Sequence, residues 1–215
     1  MPWFEQLRSV NWSEAGCIFL AGYALGCFTT GYYLVRLRQG HDIRDLGSGS
    51  VGAKNVGRLL GWQGFLVTVL GDFGKGALAV WAARHFTTDD RLVLLAMLAV
   101  VSGHVWPVQL YFRGGKGMAT ALGALLVYDY QLALAVALLF AAAFAALRKT
   151  VLPGLFALAC LPLISWYLVH GPAEVAGSAA LAGLVLLAHR KNLVTEISPL
   201  LDRRTVHPKH DPPEL

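Results

Sequence analysis

The residues of this chain best suited to chemistry on an anion come in three short clusters. In GSGSVGAKN, residues 47–55, Gly47, Gly49 and Gly52 let backbone amides turn toward a common point, while Ser48, Ser50 and Asn55 offer neutral hydrogen-bonding groups. Lys54 and, just beyond, Arg58 add positive charge for a phosphate. In RGGKG, residues 113–117, Arg113 and Lys116 stand among Gly114, Gly115 and Gly117, directly before an apolar run whose first helical turn would attract a negative group. In HRKNL, residues 189–193, His189 and Asn192 are three positions apart, so a continuing helix would present both to one ligand.

Each cluster has a plainer reading. Gly47, Gly49 and Gly52 spell G-x-G-x-x-G, but the strand, turn and helix that give this motif its dinucleotide meaning are absent from the surrounding sequence. A basic loop lying against anionic lipid stays open beside a phosphate cradle. RGGKG is not a Walker A loop, because Gly117 follows Lys116 where that motif needs Ser or Thr. Pro107 predicts a kink that frees carbonyls near Gly103 and His104, and His104 reads equally as a structural residue or as part of an anion site. His189 and Asn192 alone could simply end a helix at the membrane interface.

The elements that must position these clusters are membrane spans. Of 215 residues, 56% are hydrophobic and 14% charged, and the apolar residues are gathered into long runs of the kind that cross a hydrocarbon layer. Seven spans are expected: Ala15–Val35, Leu59–Ala83, Leu92–Phe112, Met118–Val127, Leu132–Leu147, Val151–Val169 and Val175–Ala188. The fourth is too short to cross upright and would be tilted or re-entrant. The fold class is therefore an all-α polytopic membrane protein, a seven-helix bundle. If the spans alternate, one face gathers Arg36, Arg38, Arg44, Lys54, Arg58, Arg113, Lys116, Arg148, Lys149, Arg190, Lys191, Arg203, Arg204 and Lys209, against Arg8, Arg84 and Arg91 opposite. The positive-inside rule then puts the N-terminus outside and the C-terminus in the cytoplasm. All three clusters fall on the cytoplasmic side.

Residues 1–196 read as a single membrane domain. Residues 1–14, with Pro2, Trp3, Phe4 and Trp12, form an interfacial segment that lacks a small-residue cleavage site and does not read as a removable signal peptide. Residues 197–215 form a polar, proline-rich cytoplasmic tail. Gly22 with Gly26, and Ala179 with Gly183, have the spacing that lets helices pack closely in lipid. Asp72 and Lys75, one turn apart within the second span, read as a structural ion pair. Cys17, Cys27 and Cys160 lie in apolar stretches without metal-ligand or redox spacing. His85 and Asp90 match the H-x-x-x-x-D spacing of another acyltransferase superfamily, but fall in an outside loop.

Taken together, the DIR, GSG, GA, N and R positions of residues 42–58, the D..KG of Asp72–Gly76, the GH..P....F.GGKG.AT of residues 103–120 and the terminal HR.N resemble the bacterial acyl-phosphate-dependent glycerol-3-phosphate acyltransferases, the PlsY family. The resemblance covers nearly the whole chain. It implies a seven-helix membrane fold and transfer of a fatty acyl group from acyl phosphate to the 1-hydroxyl of glycerol 3-phosphate, giving lysophosphatidic acid in phospholipid biosynthesis. It also implies that Ser48, Arg58, Lys116, His189 and Asn192 serve substrate binding and catalysis, with no cofactor and no metal in the chemical step. Three departures from the family pattern stand out: Ser50 and Lys54 where Asn and Thr are usual, Leu152 where a serine is often found early in the sixth span, and the ending LVTEISPL, which lacks the usual basic continuation.

Acyl phosphate is already activated, so positioning and charge stabilisation suffice for its reaction. The expected division has the Gly47 loop and Arg58 holding the acceptor phosphate and Lys116 stabilising the departing one. His189 and Asn192 would orient the hydroxyl, with His189 or the leaving phosphate taking its proton. The expected partners are acyl phosphate, glycerol 3-phosphate and the lipid bilayer of the bacterial inner membrane, with no nucleic acid. The oligomeric state is left open, a monomer being compatible. A transporter or binding protein for a phosphorylated metabolite or lipid, a related acyltransferase with another acceptor, and a phosphatase or phosphotransferase are the alternatives. For the last, no acidic cluster suited to magnesium lies on the cytoplasmic side.

Overall fold

The computed structural model describes residues 10–168 and 170–195, and these are helical with no strand. The helices are α1 (Trp12–Cys27), α2 (Thr30–Gln39), α3 (Ala53–Phe86), α4 (Asp90–Val105), α5 (Met118–Tyr128), α6 (Tyr130–Leu147), α7 (Val151–Ala159), α8 (Leu161–Tyr167) and α9 (Pro172–Ala188). Four helical segments are long and apolar enough to cross a membrane: Trp12–Gln39, Ala53–Phe86, Asp90–Leu110 and Tyr130–Leu147. Met118–Tyr128, Val151–Tyr167 and Pro172–Ala188 are shorter apolar helices. Most of the interfacial N-terminal segment and the whole proline-rich tail lie outside the described residues.

The bundle is apolar on its outside as well as within. Leu70, Trp81, Leu138 and Trp166 are exposed, which would be costly in water and suits a hydrocarbon solvent. Inside, Val80, Met97, Val100, Leu125, Leu158 and Leu181 join α3, α4, α5, α7 and α9 in one core. Small residues set the closest crossings. A Cβ at Gly26 of α1 would stand 2.2 Å from the Val100 carbonyl oxygen of α4, so the Gly22–Gly26 spacing does what the sequence suggests. The Ala179–Gly183 pair does not: both residues are exposed, and α9 approaches α4 through Gly177 against Leu94 instead.

Three breaks in the helices prepare the site. The first apolar segment is interrupted at Phe28 and Thr29, between α1 and α2. Lys75 Nζ donates to the Gly26 and Phe28 carbonyls at 3.0 and 2.6 Å, and Gln109 Nε2 donates to the Cys27 carbonyl, so the acceptors freed by the break are used. Asp72 Oδ1 accepts from the Thr30 amide at 3.3 Å and the Thr30 hydroxyl at 3.1 Å, placing a carboxylate at the positive end of α2. The second break is at Gly61, whose φ of 72° and ψ of −169° separate the first two turns of α3 from the rest. The expected start of the second span, Leu59, lies two residues before this break, and the turns before Gly61 carry Lys54, Asn55 and Arg58 to the site. Pro107 makes the third break by ending α4 at Val105.

Candidate active site

A cavity of about 800 Å³ opens among α3, α5, α6, α7 and the end of α9. Eleven residues singled out in the sequence line it: Ser48, Ser50, Gly52, Lys54, Asn55, Arg58, His104, Lys116, Gly117, His189 and Asn192. Gly47, Gly49, Arg113, Gly114 and Gly115 are not part of the lining. Elsewhere the wall is hydrocarbon, including Leu122, Val136, Phe140 and Leu158. One space therefore combines a cationic region with an apolar one.

The Gly47 loop is shaped from below and from within. Val35, Ile43, Val51 and Val56 form a small buried core beneath it. Asn55, 1% exposed, spends its amide on the loop: Oδ1 accepts from the Ser48 amide at 2.9 Å, and Nδ2 donates to the Leu46 and Ser50 carbonyls at 2.9 and 3.0 Å. The Gly49 and Gly52 amides go to the Leu46 carbonyl and the Ser50 hydroxyl. The expected nest of free loop amides is therefore corrected at Ser48, Gly49 and Gly52, because backbone turns and Asn55 use those donors first. No side chain caps the N-terminus of α3 beyond Gly52, so the positive end of that helix meets the cavity beside Lys54 and Arg58. Arg44 ties the loop to the rest of the fold, holding Asp42 at 2.6 Å and donating to the Leu110 carbonyl at 2.8 Å.

RGGKG is reinterpreted in the same way. The carbonyls freed by Pro107 accept from the Gly114 amide (Val105 O, 3.1 Å) and the Gly115 amide (His104 O, 2.9 Å). A Cβ at Gly115 would lie 2.1 Å from His104 Nε2, so this glycine is needed for close approach. Arg113 is exposed and stands apart from the cavity. Lys116 and the uncapped N-terminus of α5 at Gly117 do reach it. His104, buried, bonds through Nδ1 to Lys75 Nζ at 2.8 Å, and Asp72 pairs with Lys75 at 3.2 Å. The Asp72–Lys75 ion pair expected from the sequence is thus present, with His104 as its third member.

Lys116 Nζ donates to Asn192 Oδ1, joining the loop before α5 to the end of α9. Partial burial and then the nearby Lys54 ammonium hold the Lys116 pKa below the usual lysine value. His189 is 6% exposed, and its Nδ1 is 2.9 Å from the Val185 carbonyl oxygen. A carbonyl only accepts, so Nδ1 carries the hydrogen. Burial lowers the His189 pKa, opposed by the Val185 carbonyl and aided by Lys116, which leaves a neutral ring with a lone pair on Nε2. That is the state required of a hydroxyl acceptor or a general base.

The turn between α6 and α7 also lines the cavity, through Arg148, Lys149 and Thr150. In the sequence this basic pair served only to orient the spans; its position right after an 18-residue apolar helix was the available signal. Leu152 faces away, into a separate apolar groove of about 540 Å³ bordered by α6, α7 and α9. The His85–Asp90 pair is remote: His85 lies 13 residues beyond Asp72, about 20 Å further along α3. His85 stacks on Trp81, and Asp90 is 3.9 Å from Arg84. No group of three or more His, Cys, Asp or Glu among the described residues could hold a metal ion.

The glycerol-3-phosphate acyltransferase family model matches residues 16–198. This chain belongs to that family. It is 45% identical over 195 residues to glycerol-3-phosphate acyltransferase 1 of Desulfitobacterium hafniense (strain Y51), covering 89% of this chain and 96% of that one. Its fold is similar to the crystal structure of PlsY, an integral membrane glycerol 3-phosphate acyltransferase, in its glycerol 3-phosphate form. The TM-score is 0.79 at 29% identity, over 89% of this chain and 99% of PlsY. The lysophosphatidic acid form of PlsY matches with a TM-score of 0.75 at 30% identity, over 88% of this chain and 93% of that one. As a member of the glycerol-3-phosphate acyltransferase family, the chain is an integral membrane acyltransferase, and the resemblance drawn from its motifs holds.

Proposed function

We propose that this acyltransferase moves a fatty acyl group from acyl phosphate to the 1-hydroxyl of glycerol 3-phosphate, giving lysophosphatidic acid and inorganic phosphate. The observation that carries the reading is the cavity's double character: Arg58, Lys116 and His189 share one space with an apolar wall. An acyl phosphate needs both surfaces. The end of α3 near Arg58 suits the phosphate of glycerol 3-phosphate, while Lys116 and the N-terminus of α5 suit that of the donor.

In this reading the acceptor hydroxyl oxygen attacks the acyl carbonyl carbon, the bond from that carbon to the phosphate oxygen breaks, and phosphate departs with the bonding electrons. Lys116 neutralises the growing charge, Asn192 holds Lys116 in place, and Ser48 contributes a hydroxyl at the acceptor end. His189 Nε2 receives the hydroxyl proton and passes it to phosphate. The site opens to the cytoplasm of a bacterial inner-membrane protein, in a single domain of residues 1–196 with seven spans and an external N-terminus. The excess of cations in the connections bearing the site supports that orientation.

Purified protein in detergent, supplied with palmitoyl phosphate and glycerol 3-phosphate, tests the proposal. Equal release of lysophosphatidic acid and phosphate is expected. Phosphate without ester would make it a hydrolase, and binding without either product a carrier. Turnover with an acyl thioester but not with acyl phosphate would overturn the donor.

A further inference from the structure

Lys54 Nζ donates to the Thr150 hydroxyl across 96 residues of sequence, joining the first turn of α3 to the α6–α7 turn at the edge of the cavity. The acceptor is neutral. Among the described residues Asp72 is the one carboxylate lining the cavity, and it is already bonded to Lys75 and Thr30. A phosphate oxygen is a stronger acceptor for an ammonium than an alcohol is, so an incoming phosphate would take Lys54 from Thr150 or share it. The hydroxyl keeps its own hydrogen to donate.

A second observation concerns the same turn. Arg148 has φ 53° and ψ 22° and closes α6 through its amide to the Phe144 carbonyl, in the left-handed conformation where glycine or asparagine is the easy choice. A long cationic residue held there against its backbone preference, and lining the cavity, is better explained by its guanidinium than by the helix end it makes. The repulsion that Lys54 exerts on Lys116 agrees with cations from three segments converging on one space.

We propose that the α6–α7 turn is a third anion-binding arm of the site, in which Arg148 and the Thr150 hydroxyl engage the phosphate of glycerol 3-phosphate and Lys54 fastens the turn to α3. The proposal rests on the acyltransferase reading above for the identity of that phosphate. Lys54 and Thr150 thereby become specificity-determining residues for the acceptor.

The test uses the full-length protein in detergent with Thr150→Val, Thr150→Ser and Arg148→Gly. KM for glycerol 3-phosphate is expected to rise about tenfold in Thr150→Val and Arg148→Gly, with a smaller change in kcat and with KM for palmitoyl phosphate unchanged. Thr150→Ser should restore it. Arg148→Gly relaxes the backbone, so a merely structural arginine would give an equally stable protein with unaltered KM. An independent measurement is the rise in unfolding temperature produced by inorganic phosphate or glycerol 3-phosphate, which both variants should diminish. An unchanged KM and an unchanged temperature rise, or an increase confined to KM for palmitoyl phosphate, would overturn the third arm while leaving the acyltransferase reading intact. Loss of the phosphate-induced rise in a protein that makes no ester would support the arm as an anion site and refute the reading.

Discussion

Lys116 and Asn192 lie 76 residues apart in sequence and are joined by one hydrogen bond, from Nζ to Oδ1. The bond ties the loop preceding α5 to the helical residues after α9, and among the described residues no carboxylate pairs with the ammonium. A phosphate group would meet a cation held by a neutral amide that can continue to orient it.

Converting that amide to a carboxylate should separate stability from function. Asn192→Asp is expected to give Lys116 an ion-pair partner, leaving the unfolding temperature equal or higher, while activity falls on the order of 100-fold because substrate phosphate must compete with the new charge. Asn192→Ala should lower activity as well, without the gain in stability. Thermal unfolding and initial rates on the same preparations check both outcomes.

The His189 ring gives a pH dependence whose direction follows from its surroundings. Because burial and Lys116 lower its pKa, the neutral ring persists below the usual histidine value of about 6.5. The fold disfavours the charged ring, so this residue's contribution to stability is present above the unfolded pKa and declines as pH falls through the lower folded one. The acidic limb of kcat/KM is expected below about pH 6.5 and should disappear in His189→Gln. At the alkaline end, activity should decline below the usual lysine pKa as Lys116 loses its proton. Removing the Lys54 charge with Lys54→Met should move that limb to higher pH.

Asn55 is a loop-building residue as much as a contact. Asn55→Ala would strip the Ser48 amide and the Leu46 and Ser50 carbonyls of their partner, and because these groups are only partly buried the loss is about 0.5–1.5 kcal/mol per bond. The expected result is faster hydrogen exchange across residues 46–50 and a raised KM for glycerol 3-phosphate. Normal exchange in a weakened enzyme would instead assign Asn55 to substrate directly.

Acyl-chain preference should respond to Gly154. A Cβ there would come within 2.7 Å of the Met118 terminal methyl, and both residues line the cavity beside Phe140. Gly154→Leu is expected to shift preference toward shorter acyl phosphates by about tenfold in relative kcat/KM, a size in keeping with an apolar pocket. Rates with a series of chain lengths measure it.

The apolar runs were legible because lipid demands them over a fixed length, and the order of the three polar clusters carried the family. What the sequence left hidden depends on distant residues. The interruption at Phe28 and Thr29 needs Lys75, Asp72 and Gln109 from other helices to be affordable in hydrocarbon. Gly114 and Gly115 resemble anion donors in sequence, whereas in the fold their amides serve the carbonyls freed by Pro107. Arg148 and Lys149 carry a sidedness signal in the sequence, but charge alone does not tell which residues of a loop line a cavity. The Gly61 break was invisible for another reason: one glycine within an apolar helix is ordinary until its dihedral angles are known.

The interrupted first segment has a consequence for biogenesis. During translation Gly26 and Phe28 emerge well before Lys75, so their carbonyls reach the insertion machinery without the ammonium that later serves them. The interrupted segment gains the hydrogen bonds of its native form only once the helix bearing Asp72 and Lys75 has followed it, which couples the two segments during insertion.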